Sequence, residues 1–124
     1  MAKAFVVDDS RAVRMILSRI LTGLGFEVSQ ASNGKEALEL IEAEQSPVQL
    51  VLVDWNMPEM NGLDLVKNLR RHREFESMVI VMVTTESEMD HMLAALEAGA
   101  NEYVMKPFTP DILVEKLQMA GVQL

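Results

Sequence analysis

At 124 residues the chain has the length of one compact domain, and its 49 % apolar residues suffice for a core without disulfides or a structural metal. With no cysteine, a disulfide framework and a thiolate metal site are both excluded. A net charge of −8 at pH 7 disfavours nucleic acid or an anionic membrane as main partner and suits a divalent cation or a partner with a basic patch.

The first element is an apolar run, AFVVD (4–8), which reads as a strand. Val13, Ile16, Leu17, Ile20, Leu21 and Leu24 follow at helical spacing, with Ser10 as N-cap and Gly23 and Gly25 at the end. FEVSQA (26–31) alternates and reads as an edge strand. Ala37, Leu38 and Ile41 mark a helix over 34–45. QLVLVD (49–54) is again a continuous apolar run, followed by a helix over 63–72 with Leu63, Val66 and Leu69. MVIVMV (78–83) and a helix over 87–98 come next, the latter carrying Met89, Met92, Leu93 and Leu96. NEYVM (101–105) precedes a helix over 110–120, for which Thr109 and Pro110 supply the N-cap and N1.

The series is βα five times, with nothing left over for a linker or a second domain. Strands that are apolar on both faces, alternating with helices, predict an α/β fold: a doubly wound parallel sheet with right-handed crossovers. No stretch reaches the length of a membrane span and no secretory leader opens the chain, so the cytoplasm is the expected compartment.

In such sheets ligands bind beyond the carboxyl ends of the strands. The residues there are Asp8 and Asp9, Asp54 and Asn56, Thr84, Thr85 and Glu86, then Lys106 and Pro107. Singly, each has an ordinary structural use. Asp9 and Ser10 can cap a helix, Asp54 can open a turn before Pro58, Thr84 can bond local backbone, and Lys106 can be solvated. Together they point elsewhere. Three converging carboxylates repel unless a cation joins them, and a hard oxygen-seeking ion such as Mg²⁺ fits. A lysine and a hydroxyl beside them could neutralise a phosphoryl group, and a carboxylate is an accepted covalent nucleophile for phosphate.

VVDDS (6–10), VDWNMPEMNG (53–62), VTTESE (83–88) and YVMKPF (103–108), in that order and spacing, resemble the receiver domain of two-component response regulators. The resemblance covers essentially the whole chain, as one receiver domain over 1–124. Within the family, DWNMP and the lack of an output domain are similar to the stand-alone, CheY-like chemotaxis regulators. The resemblance implies a five-stranded sheet of order 2-1-3-4-5 flanked by five helices. It implies Asp54 as phosphoacceptor, and Mg²⁺ held by Asp8, Asp9, Asp54 and the Asn56 backbone carbonyl, with Asp8 acting largely through water. Thr84 would bond the phosphoryl group, Lys106 would pair with it and, before it, with Asp54, and the Lys106–Pro107 bond would be cis. Tyr103 would turn inward when Thr84 moves, while Asn56 and Glu86 would set the rate of dephosphorylation. Thr85 stands where many relatives have Ala and would narrow access.

The family exports its state through its fourth helix, fifth strand and fifth helix, which here carry Met89, Met92, Leu96, Tyr103, Met105 and Lys116. Leu93 is expected in the core. The implied partners are a histidine kinase, a flagellar motor switch or another protein target, and a phosphatase, with a single-domain relay outside chemotaxis as the alternative. His72 and His91 read as surface residues, and Arg70, Arg71 and Arg73 as cations at a helix C-terminus. Two further classes compete. A phosphohydrolase with an Asp nucleophile would want an acid two residues on, where Asn56 stands. A flavin- or nucleotide-binding domain would want a phosphate cradle where Asp8 and Asp9 stand.

Overall fold

The computed structural model describes residues 2–124. Its elements are β1 (Lys3–Val7), α1 (Arg11–Gly23), β2 (Glu27–Ala31), α2 (Gly34–Ala43), β3 (Val48–Val53), α3 (Gly62–Arg70), β4 (Val79–Thr84), α4 (Met89–Ala98), β5 (Glu102–Met105) and α5 (Pro110–Met119). A short 3-10 turn at Arg73–Phe75, unmarked by any apolar period, links α3 to β4. The strands form one parallel sheet in the order β2-β1-β3-β4-β5. The expected topology therefore holds.

Alternation along each strand divides the core. Phe5, Val7, Val51, Val53, Ile80, Met82 and Tyr103 pack on one face with Ala37, Ile41, Leu65, Leu69 and Ala95 of α2, α3 and α4. Ala4, Val6, Leu50, Leu52, Val81, Val83 and Val104 pack on the other with Leu17 and Leu21 of α1 and Leu113 and Leu117 of α5. Burying a side chain of this size stabilises the fold by about 2 kcal/mol before entropy is counted. After β1 the chain turns one way to β2, then crosses back to place β3 on the other flank. The carboxyl ends of β1 and β3 thus lie side by side at the switch in strand order.

Four helices begin on a side-chain cap. Ser10 Oγ accepts from the Val13 N–H, Asn33 from Glu36, Asn61 from Asp64, and Thr109 from Ile112. The fourth helix, α4, starts at Met89 after Glu88, which makes no such bond.

Three expectations change. Ile16 belongs to the apolar stripe of α1 but is 52 % exposed, because α1 packs on the sheet along Leu17 and Leu21, flanked by Val13, Ile20 and Leu24. Leu93, expected in the core, is 49 % exposed. The helix α4 turns Met92, Ala95 and Ala98 inward instead, since small residues let it approach closely. Arg70 is more than a helix-end cation. Its guanidinium donates to the carbonyls of Gly99 (3.0 Å) and Phe75 (2.8 Å) and to Asn101 Oδ1 (2.9 Å). It thereby ties α3 to the turn before β4 and the turn after α4.

Candidate functional site

Asp8 and Asp54 stand one residue beyond β1 and β3, and backbone bonds keep them in the sheet's register. The Asp8 N–H donates to the Ala31 carbonyl at 3.1 Å, and the Asp54 N–H to that of Val7 at 2.9 Å. Both carboxylates are buried, Asp54 being 8 % exposed, while Asp9 is exposed beside them. Oxygens of all three lie within 4.8 Å of one another. Lys106, just past β5, enters from the next ladder, its N–H bonded to the Thr84 carbonyl at 2.9 Å.

The Lys106 ammonium donates to Asp8 Oδ2 at 2.7 Å and to Asp54 Oδ2 at 3.3 Å. The shorter bond goes to Asp8, although Asp54 is the expected partner. Asp8 Oδ1 accepts from the Ser10 N–H (2.8 Å), and Asp54 Oδ1 accepts from the Trp55 N–H (2.7 Å). Burial works against the ammonium's charge, but the hydrogen bond to Asp8 and the field of Asp54 and Asp8 outweigh it, so the Lys106 pKa is raised. One ammonium faces three carboxylates. Unit charges about 5 Å apart repel by on the order of 3 kcal/mol at an effective dielectric of about 20, less where water reaches Asp9.

The donor set is all oxygen and anionic. Octahedral ligands about 2.1 Å from a small cation lie at most about 4.2 Å apart, so a modest closing of the cluster would bring all three carboxylates onto one ion. Asn56 is exposed in the loop that follows.

The family model for the response regulator receiver domain matches residues 4–118, over the same four strand ends. The chain belongs to the response-regulator receiver family. This receiver is 48 % identical over 117 residues to the chemotaxis protein CheY homolog of Campylobacter jejuni, covering 94 % of this chain and 89 % of the relative. It is 47 % identical over 118 residues to chemotaxis protein CheY1 of Helicobacter pylori, covering 94 % of each. The structure of chemotaxis response regulator CheY4 of Vibrio cholerae superposes with a TM-score of 0.87 at 35 % identity, covering 97 % of this chain and 98 % of that one.

In this receiver Thr84 is fully buried and its hydroxyl oxygen accepts from the Glu86 N–H at 3.3 Å, which leaves the hydroxyl proton free to donate. The Lys106–Pro107 peptide is cis. Thr85, with Val13, Ile16, Lys106, Pro107 and Phe108, lines an apolar hollow of about 320 Å³ that meets the site at Lys106. A larger hollow of about 620 Å³ lies at the amino ends of the strands, and none of the site residues borders it.

The Tyr103 ring is already buried, and its hydroxyl donates to the Glu86 carbonyl at 2.7 Å. Burial, then the charges of Glu86 and Asp54, push the phenol up to about 12. The neutral phenol is favoured by the fold, so this stabilisation is full below about pH 10 and is lost as the pH rises through about 12. As Tyr103 is the only tyrosine, its absorbance titration should have a midpoint near 12 in the folded protein and near 10 in urea. Coincident midpoints would contradict the buried position.

The expected output face is only partly a surface. Met89 is 70 % exposed, Leu96 and Met105 are also exposed, and Lys116 reaches Glu102 at 3.9 Å. Tyr103 and Met92 are turned inward, because β5 and α4 use them against the core. Leu93 takes their place on the exposed face. Two neighbours of the site escape sequence reasoning. The Arg14 guanidinium donates to the Asp8 carbonyl at 2.7 Å and to Gln30, and the His91 ring packs against Trp55. Arg14 carries one faint signal, its place one turn after the Ser10 cap; His91 carries none.

Proposed function

We propose that this receiver accepts a phosphoryl group on Asp54 from a histidine kinase and passes the signal on as a change of its own surface. The convergence of Asp8, Asp9, Asp54 and Lys106 at the carboxyl ends of β1, β3 and β5 carries this reading. The cofactor is Mg²⁺, held by Asp8, Asp9, Asp54 and the Asn56 carbonyl. When bound it offsets the negative charge of the incoming phosphoryl oxygens. Asp54 Oδ2, which only the long Lys106 bond engages, attacks phosphorus, the P–N bond to the kinase imidazole breaks, and the departing nitrogen recovers a proton. Lys106 then neutralises a phosphoryl oxygen, and Thr84 turns its free hydroxyl proton toward another. Asn56 and Glu86 flank the acyl phosphate and set the access of the water that hydrolyses it. The turnover is of the protein's own phosphate, so the role is signalling and not catalysis on outside substrates.

The relatives named as chemotaxis proteins support chemotaxis as the setting, with a flagellar motor switch as the target of the exposed face formed by Met89, Leu93, Leu96 and Met105. Action in the cytoplasm and resetting by a phosphatase complete the reading. Among the described residues no helix is long and apolar enough to cross a membrane.

Acetyl phosphate with millimolar Mg²⁺ tests the chemistry directly. Intact-mass analysis should find one phosphoryl group, labile to alkali, and Trp55 emission should change and then recover as it is lost. Uptake that persists in excess EDTA would contradict the metal's role. No uptake at all would contradict the assignment of the site.

A further inference from the structure

Trp55 follows Asp54 directly, and its N–H is the group that holds Asp54 Oδ1, at 2.7 Å. Its own carbonyl accepts from the Gly62 N–H at 2.8 Å, so the residue is anchored on both sides of its backbone. The indole is buried and meets His91 edge-on, with ring centroids 4.7 Å apart and an interplanar angle of 61°. His91 lies in the first turn of α4. Its Nδ1 is buried without a hydrogen-bond partner, the Glu88 carboxylate standing 4.0 Å away. The imidazole is therefore positioned by its packing on Trp55. Among the described residues α4 is the one α-helix that starts without a side-chain cap. In place of a cap, its first turn has this aromatic contact, and the loop before it has the Tyr103 bond to the Glu86 carbonyl.

We propose that His91 is a positioning residue that couples the start of α4 to Asp54 through Trp55, by a route separate from Thr84 and Tyr103. The inference rests on the proposed phosphorylation of Asp54. An acyl phosphate turns the charged carboxylate acceptor at Oδ1 into a neutral carbonyl, and a charge-assisted bond from the Trp55 N–H becomes an ordinary one. Trp55 then loses part of what fixes its ring, and His91 passes the change to a helix turn that has no cap to resist it. On this route phosphorylation shifts the population of the packed pair away from the arrangement seen here. Because α4 carries Met89, Leu93 and Leu96 outward, this route ends on the exposed apolar face.

Amide hydrogen exchange of His91 and Met92, whose N–H groups both donate to the Glu88 carbonyl, reads the first turn of α4. It should be measured with Mg²⁺, before and after acetyl phosphate, in the native protein, His91→Ala and His91→Phe, with uptake followed by mass. Native protein should change its exchange at these amides on phosphorylation. His91→Ala should take up phosphate to the native extent, exchange about tenfold faster beforehand, and show no further change with the donor. His91→Phe, which keeps an aromatic edge on Trp55, should restore both behaviours; a merely structural role would not restore the response to the donor. A native-sized donor response in His91→Ala, or no rescue by Phe, overturns the coupling. If native protein takes up phosphate with no response in α4, the coupling alone fails. If it takes up none, the reading of Asp54 fails and the coupling with it.

Discussion

Asp54→Asn is expected to abolish phosphoryl uptake and to weaken Mg²⁺ binding at least about tenfold, roughly 1.4 kcal/mol, while leaving the fold intact. An amide oxygen is a far poorer nucleophile than a carboxylate. It can still accept the Trp55 N–H, and it occupies the same volume in a site where Asp54 is buried. The substitution also removes one of three negative charges that face a single ammonium, Lys106. Without metal the variant should therefore be as stable as native or more so, by about 1 kcal/mol. Native protein should gain about 2.7 kcal/mol at a hundredfold excess of Mg²⁺ over its Kd, and the variant clearly less at the same concentration. Mass analysis, calorimetry and thermal melts with and without Mg²⁺ check the three statements. Full uptake in Asp54→Asn would move the acceptor to Asp8 or Asp9. A variant much less stable than native would mean that the carboxylate is a structural group.

Gly62→Ala should destabilise the protein by about 3 kcal/mol, far more than an alanine at the first position of a helix usually costs. A Cβ at Gly62 would overlap the Asp54 carbonyl and come within 3.0 Å of the Trp55 Cα. Those are backbone atoms of the segment that carries Asp54, so they cannot swing aside like a flexible side chain. Gly62 has no left-handed φ, and the penalty is purely one of space. The urea midpoint should fall by roughly 1.5 M for a slope of about 2 kcal/mol/M. Trp55 emission should shift with it, as the backbone that carries the indole is displaced. A midpoint unchanged from native would show that the turn between β3 and α3 is loose, and that Asp54 is held by its hydrogen bonds alone.

Most of the site was readable before any coordinates because of how parallel sheets are built. When every strand runs the same way, every residue just past a carboxyl end arrives at one edge, whatever its distance in the chain. Asp8, Asp54, Thr84 and Lys106 could therefore be assembled from four separate apolar runs. What the order of residues does not contain is the division of bonds within the cluster. That Lys106 lies nearer to Asp8 than to Asp54 depends on fractions of an ångström between three strand ends.

The helices mark the other limit. Apolar spacing identified all five, with ends displaced by a few residues, because a helix on a sheet must bury a stripe. A stripe does not say which of its edges a neighbour will cover. Leu93 and Met92 are adjacent in α4; the apolar stripe placed Leu93 inside, and the family resemblance placed Met92 on the output face. Packing against α3 and β5 reversed them. The same holds for Arg70, read as a cation at a helix C-terminus, around which the turns at Phe75, Gly99 and Asn101 close. His91 on Trp55 joins residues from two different βα units and has no local signature. Sequence alone thus determined the βα order, the sheet edge where the carboxylates and Lys106 converge and the residues on it, since these follow from burial on two faces and a common strand direction. Tertiary structure decided which side chains meet, because contacts between helices depend on the angle and depth at which each settles on the sheet, and no periodicity encodes either.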